Sequence, residues 1–378
     1  MKPKNHSKQL PIAKHILAYL KHGKNLLAFS GGIDSSALFF VLLDHNISFD
    51  IAIINYGIRE QSKEEVEYAK RLAIQHEKTC HTLTAKPIEK DFEAKARNIR
   101  YDFFHKLIIR HGYNNLITAH HFDDRLEWFF MQLTHGAGLN TLLGFQDITQ
   151  RVIKNKIYYL VRPFIAYTKQ DILSYNHANK IQYFLDISND DTSYRRNFFR
   201  KYIATPLSKH FSNGIHKSFL YLEKEYRLLY PDIMVCVDYN LFTCRTHTHE
   251  IHTIDMLTKR LGYIMSSKQK EELCIILSNY GECVMGGKIV IAKNGEFIFV
   301  GLDIKWFLEC FIKAYKHNIM ESFIALPCDI ERFYHAIKDI MFNGTIKIPK
   351  QKREFYRIQK IPKKIRPLCY LNSLSAWQ

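Results

Sequence analysis

The chain has 378 residues, of which 47% are hydrophobic and 24% charged, so it can bury a sizeable core and is long enough for two or three domains. No apolar run approaches the roughly 18 residues that span a bilayer. The basic first twenty residues carry only a short apolar piece around Ile16 to Leu20, so a cytoplasmic protein without signal peptide or membrane span is expected. A formal charge of +17, from 54 Lys and Arg against 37 Asp and Glu, favours a polyanionic partner wherever the charge clusters.

In chain order, a helix is expected near 8–22. Strands follow at Leu26–Phe29, Phe49–Ile54, Thr79–Thr84 and Asn115–Ala119, with helices near 35–45, 62–77, 91–111 and 122–134. This alternation predicts an α/β fold with a parallel sheet covered by helices on both faces. Next come the strand-like "KIYYLVRPF", the helix-like "TKQDILSYNHANK" and an amphipathic stretch over 206–230. Residues 231–310 read as a strand pair, a helix around 265–280 and a hairpin "KIVIAKNGEFIFV" turning at Asn294-Gly295. Three domains are expected: a catalytic domain over 1–210, a helical or mixed α+β domain over 211–310 and a basic C-terminal domain over 311–378.

Eight cysteines stand at 80, 236, 244, 274, 283, 310, 328 and 369, without a CxxC pair. The group Cys236, Cys244, His247, His249 and His252 fits no common metal-ligand spacing, so thiols in a reducing compartment are expected.

The strand at Leu26–Phe29 runs into Ser30-Gly31-Gly32-Ile33-Asp34-Ser35 and then a helix. Backbone N–H groups and two hydroxyls at a helix N-terminus suit an anion, and adjacent glycines allow its close approach. A bare Gly-Gly needs nothing more than a turn capped by Asp34 or Ser35. The loop lacks the GxxxxGK[ST] lysine, so it is not a Walker loop. The whole string resembles the PP-loop of the N-type ATP pyrophosphatases, which grips the pyrophosphate of ATP. The resemblance implies the adenine nucleotide α hydrolase-like fold and cleavage of ATP to AMP and pyrophosphate.

Four further stretches narrow the resemblance. In "AHHFDDRLEWFFMQLTHGAGLNTLLGF", His120, Asp123, Asp124 and Glu127 fall at i, i+3, i+4 and i+7, which places them on one helix face. This stretch resembles the HHxDDQxET signature of the tRNA(Ile)-lysidine synthetase family, with Arg125 where Gln is usual and Trp128 where Thr is usual. "EAKARNIRYDFF", with Arg97 and Arg100, resembles that family's ARxxRYxFF element. "DISNDDTSYRRNFFRKYIATPL" matches its DxTNxDxxYxRNxIR element through Asp186, Ser188, Asn189, Asp191, Tyr194, Arg196, Asn197 and Arg200. In "INYGIREQSKEEVEYAK", Gly57, Arg59 and Ser62 fit, whereas Asn55 and Tyr56 replace Asp and His. Resemblance is dense over roughly the first 210 residues. From 345 to 366, nine Lys and Arg accompany a single Glu, interleaved with Phe355 and Tyr356, as suits RNA phosphates and unstacked bases.

The resemblance implies ATP-dependent ligation of lysine to C2 of the wobble cytidine of an isoleucine tRNA with a CAU anticodon, through an adenylated cytidine. It assigns ATP to Ser30, Gly31, Gly32, Ile33, Asp34 and Ser35, with Asp34 holding Mg²⁺ or orienting the loop. Lysine is expected at Asp124 and Glu127. Catalytic roles fall to Asp34, His120, Asp123, Asp124, Arg100 and Arg196, with His120 and His121 as proton acceptors. The tRNA is expected at Lys352, Arg353, Lys363 and Lys364. The oligomeric state stays open, a homodimer being one option. The alternatives are a PP-loop tRNA thiolase, against which Cys80 stands as the only cysteine in the first 230 residues, and a non-catalytic RNA-binding protein.

Overall fold

The computed structural model describes residues 9–57, 61–88, 92–153, 156–185, 195–230, 233–238, 241–316, 341–342 and 345–375. The chain forms two compact units, 1–151 with 156–229, and 152–155 with 230–378. No helix among the described residues is long and apolar enough to cross a membrane.

The first unit begins with α1 (Lys14–His22), β1 (Asn25–Ala28), α2 (Ile33–Asp44), β2 (Asp50–Asn55), α3 (Gln61–Gln75), β3 (Cys80–Thr84), α4 (Phe92–His111), β4 (Asn115–Ile117) and α5 (Phe122–Leu133). It continues with α6 (Leu139–Leu142), β5 (Ile148–Ile153), β6 (Lys156–Val161), α7 (Lys169–Ala178), α8 (Arg195–Phe199), a π-helical turn (Arg200–Ala204) and α9 (Thr205–Leu229). The sheet runs β3-β2-β1-β4-β6-β5, and the pairings from β3 through β6 are parallel, as the alternation of elements predicts. Leu26 and Leu27 of β1 and Leu116 and Ile117 of β4 are fully buried, the continuous apolar run of a strand covered on both faces. Edge strand β5 and the short α6 are additions to the sequence reading. Both are short, and β5 carries too many polar residues to announce itself by periodicity.

The strand order reverses direction between β1 and β4. In an open parallel sheet the crevice beyond the carboxyl ends of the strands at such a reversal is where ligands bind. The helices that follow β1, β4 and β6 are α2, α5 and α7, so three N-termini belong to three adjacent strands.

The second unit holds β7 (Val235–Asp238), β8 (Leu241–Arg245), α10 (Glu250–Arg260), α11 (Ser267–Ser278), β9 (Glu282–Met285), β10 (Ile289–Lys293), β11 (Phe297–Leu302), α12 (Ile304–Lys316), β12 (Met341–Phe342), β13 (Thr345–Ile346), α13 (Lys350–Ile358) and α14 (Arg366–Ser375). Its main sheet is antiparallel, ordered β7-β8-β11-β10-β9. The expected hairpin is present: Asn294 Oδ1 accepts from the amides of Glu296 (3.0 Å) and Phe297 (2.7 Å), closing the turn between β10 and β11. Helix α10 is a departure from the sequence reading. Its His and Thr residues are indifferent helix formers, and burial of Ile254 and Leu257 against the sheet decides its conformation.

Candidate active site

Between β1 and α2 the chain turns through Gly31 at φ 75°, a left-handed conformation in which a Cβ would also meet the Phe184 ring at 3.3 Å. The Phe184 amide donates to Gly31 O at 2.9 Å, fixing the loop from across the fold. Ser30 and Ser35 face each other, Oγ to Oγ 3.0 Å apart, and the Ser30 amide donates to Ser35 Oγ at 3.2 Å. Ser36 Oγ donates to Gly31 O at 3.1 Å. The first intrahelical bond of α2 is Ser36 N to Gly32 O at 3.0 Å, so the amides of Ile33, Asp34 and Ser35 precede the ladder. The six residues expected to hold phosphate thus form a braced turn ending in a helix N-terminus.

Opposite the loop stands the start of α5. Here the structure corrects one expectation: the helix begins at Phe122 with His121 as its N-cap, so His120 precedes it and does not share its face. Asp124 Oδ2 accepts the His121 amide at 3.0 Å, and Asp123 Oδ2 accepts the Lys169 amide at the start of α7 at 2.8 Å. The His121 imidazole is buried among three carboxylates, 3.5 Å from Asp124, 3.6 Å from Asp123 and 3.8 Å from Asp34. Burial pulls its pKa down, but Asp124, Asp123 and Asp34 outweigh burial and raise it above the ordinary value. Burial raises the pKa of Asp124, yet His121, His120 and Arg196 together bring it well below the carboxylate range. His120 is the reverse case: burial dominates and lowers it to about 4, so it is neutral at pH 7, with Nδ1 2.9 Å from Thr118 Oγ1.

Lys169 is the residue that sequence reasoning missed. Its ammonium lies 2.6 and 2.7 Å from the two oxygens of Asp34. The local signal was the Thr168-x-x-Asp171 capping box, which puts Lys169 at the first helical position after β6. Nothing local says that this position faces Asp34.

Farther along α5, Glu127 is 2% exposed and bonded to Arg196 Nε and, at 3.0 Å, to Arg200 Nε. Arg196 also approaches Asp124 Oδ1 at 3.4 Å. Burial raises the Glu127 pKa despite the two guanidiniums. Arg100 is not brought into this group: it is exposed and donates to Tyr56 OH at 3.3 Å, and Tyr56 OH donates to Ala96 O. Tyr56, standing where His is usual, therefore positions an arginine. Arg97 lies over the Tyr101 ring at 5.2 Å. Asp186, Ser188, Asn189, Asp191, Tyr194 and Arg59 lie outside the described residues.

Mg²⁺ takes oxygen ligands and is commonly held by one or two carboxylates together with substrate phosphates. Among the described residues no group of three or more His, Cys, Asp or Glu is gathered to hold a metal alone. Asp34 is the carboxylate at the 30–35 loop, and both its oxygens are bonded to the Lys169 ammonium.

In the second unit, Lys352 and Arg353 on α13 and Lys363 and Lys364 beyond it are exposed. Phe355 is 52% exposed, but Tyr356 is buried, so only the first of the two expected aromatics presents a ring to solvent.

Residues 5–207 match the model of the PP-loop domain family. Among curated proteins the chain is 38% identical to a tRNA(Ile)-lysidine synthase of Helicobacter pylori strain J99, over 96% of this chain and 93% of that one. It is 38% identical to the tRNA(Ile)-lysidine synthase of Wolinella succinogenes, over 94% and 96%. Against the protein of the same name from Campylobacter jejuni strain RM1221 it is 39% identical over 76% and 86%.

Proposed function

Since the chain belongs to the tRNA(Ile)-lysidine synthase family and carries its PP-loop domain, we propose that it joins lysine to C2 of the wobble cytidine of the CAU-anticodon isoleucine tRNA at the expense of ATP. The observation that carries the reading is the meeting of three helix N-termini at the sheet reversal, with Asp34, His121, Asp123, Asp124 and Lys169 in one polar group.

In the proposed first step the C2 oxygen of cytidine attacks the α-phosphate of ATP, forming the O–P bond as pyrophosphate leaves. Negative charge builds on the departing group. The loop amides at 33–35 and the Lys169 ammonium are the preorganised positive ends for it. Lys169 thereby supplies the cation that this loop lacks relative to a Walker loop. Mg²⁺, when bound with ATP, adds charge stabilisation at the same phosphates, with Asp34 as its protein carboxylate.

In the second step the amine of lysine attacks C2, AMP departs with the C2 oxygen, and the amine proton passes to a base. His120 and His121, side by side at the start of α5, are the candidate acceptors of that proton. Asp124, ionised and half-buried, receives the ammonium of the incoming lysine. Glu127 completes the lysine site by anchoring Arg196 and Arg200 beside it. Arg196 faces the developing negative charge, and Arg100 contacts substrate outside the cluster. Lys352, Arg353, Lys363 and Lys364 bind tRNA phosphates.

The test is incubation with ATP, Mg²⁺, radiolabelled lysine and bulk tRNA, omitting each in turn. Label should enter tRNA only in the complete mixture, with AMP and pyrophosphate formed in equal amounts. Nucleotide cleavage with no label in tRNA would overturn the lysine assignment. The thiolase alternative lacks chemical support: Cys80 is partly buried, and burial pushes its thiol up to about 11.

A further inference from the structure

Helix α8 and the π-helical turn place two aromatic rings in solvent beside the charged cluster. Phe198 is 45% exposed and Tyr202 55% exposed, and their centroids are 5.1 Å apart at an interplanar angle of 49°. Rings of this size are normally buried, and here the neighbouring Phe199 is, at 6%. The Lys201 ammonium lies 5.5 Å from the Tyr202 centroid. The two rings flank Arg200, and Phe198 is two residues from Arg196, the arginines that bond Glu127.

The electrostatic setting of the rings selects the partner. From 192 to 222 the chain has six Lys and Arg and no Asp or Glu. Arg196 and Arg200 are paired with Glu127 and Asp124, and Lys201, Lys209 and Lys217 are exposed. A protein-binding apolar patch has no need of a lysine-bearing segment around it. A single-stranded nucleic acid has π faces for the rings and phosphates for the lysines.

We propose that Phe198 and Tyr202 form a stacking platform for an unpaired anticodon-loop base next to the reacting cytidine, with Lys201 on the adjoining phosphate. The inference rests on the tRNA reading above and adds to it where the loop is gripped. The cytidine has to leave the stack of its neighbours to reach the phosphate loop. A platform for the adjacent base holds the loop open at that point and contributes to binding, without touching the reacting atoms.

The experiment uses the full-length protein and a CAU anticodon stem-loop with 2-aminopurine on either side of the cytidine. Binding by the wild type should quench the fluorophore at one of the two positions. Phe198→Leu with Tyr202→Leu keeps apolar bulk but removes both π faces. It should abolish the quench and weaken stem-loop binding by about tenfold or more. ATP binding and the turnover rate at saturating tRNA should stay at wild-type values. The exchange Phe198→Tyr with Tyr202→Phe keeps both rings and should retain quench and affinity. An unquenched wild-type complex, or a double-Leu protein that binds the stem-loop as tightly as wild type, would overturn the platform. So would loss of self-association in the double-Leu protein with RNA affinity unchanged, which would make the face a contact between copies. Because binding is read without turnover, failure of lysine transfer in the wild type would strike the enzymatic reading and leave this result separate.

Discussion

Both carboxylate oxygens of Asp34 are bonded to the ammonium of Lys169, a residue 135 positions away, at 2.6 and 2.7 Å. Neither side chain is fully buried, with side-chain exposures of 29% and 34%, so the pair adds little to stability. Its consequence is positional. It sets a cation at the mouth of the 30–35 loop.

Asp34→Ala should abolish tRNA-dependent pyrophosphate release, and Lys169→Met should slow it by about a hundredfold or more, the cost of losing one preorganised cation at a developing charge. Thermal denaturation should show both proteins folded. Near wild-type release from either variant would remove that residue from the phosphate site.

The Arg125–Glu223 pair lends itself to a stability test. Arg125 is 3% exposed, lies over the Phe219 ring at 3.9 Å and bonds Glu223, whose side chain is 22% exposed. Glu223→Ala strands a buried guanidinium and should cost about 3 kcal/mol or more. Arg125→Gln leaves a carboxylate that can turn to water and should cost less. Urea unfolding of the two variants settles the order, and equal losses would mean the ion pair is not what ties α5 to α9.

His120 gives the fold a pH dependence. Burial lowers its pKa to about 4 from an unfolded value near 6.5, so between these values the unfolded chain binds the extra proton. Its contribution to stability is full above about pH 6.5 and is lost as pH falls toward 4. His121 acts in the opposite sense, since its raised pKa gives stability that is complete below about 6.5 and declines as pH rises past its folded value. In His120→Asn, the gap in denaturation midpoint between pH 4.5 and 7 should narrow, while His121→Asn should not narrow it. Lysine transfer in His120→Asn should fall with nucleotide binding intact.

Cys80→Ser should leave turnover unchanged, as a thiol pushed up to about 11 by burial is a poor nucleophile at neutral pH. A folded but inactive variant would reopen sulfur chemistry.

Replacing Lys352, Arg353, Lys363 and Lys364 together should reduce the slope of log affinity for tRNA against log salt by roughly three to four, at about 0.7 to 0.9 per phosphate contact. Affinity should drop most at low salt, with turnover at saturating tRNA retained. Titration at three salt concentrations is sufficient, and an unaltered slope would show that these cations only face solvent.

The features legible in the sequence are those whose cause is local. A strand, two glycines and a helix start within a dozen residues declare an anion loop, because backbone freedom and unpaired amides come from adjacent positions. Asp123, Asp124 and Glu127 share a helix by spacing alone, and Asn294-Gly295 announces its hairpin. What depended on packing was hidden. Lys169 reads as an ordinary capped-helix lysine until β6 is seated beside β4 and carries it to Asp34. Arg125 finds its partner 98 residues away on α9. Phe355 and Tyr356 are neighbours of similar character, and only the packing of α13 sends one to solvent and the other inside. The same holds for Phe198 against Phe199. A single chain position carries propensity and charge, but which face it presents, and to what, is settled by contacts between segments far apart in sequence, where burial and charge pairing outweigh local preference.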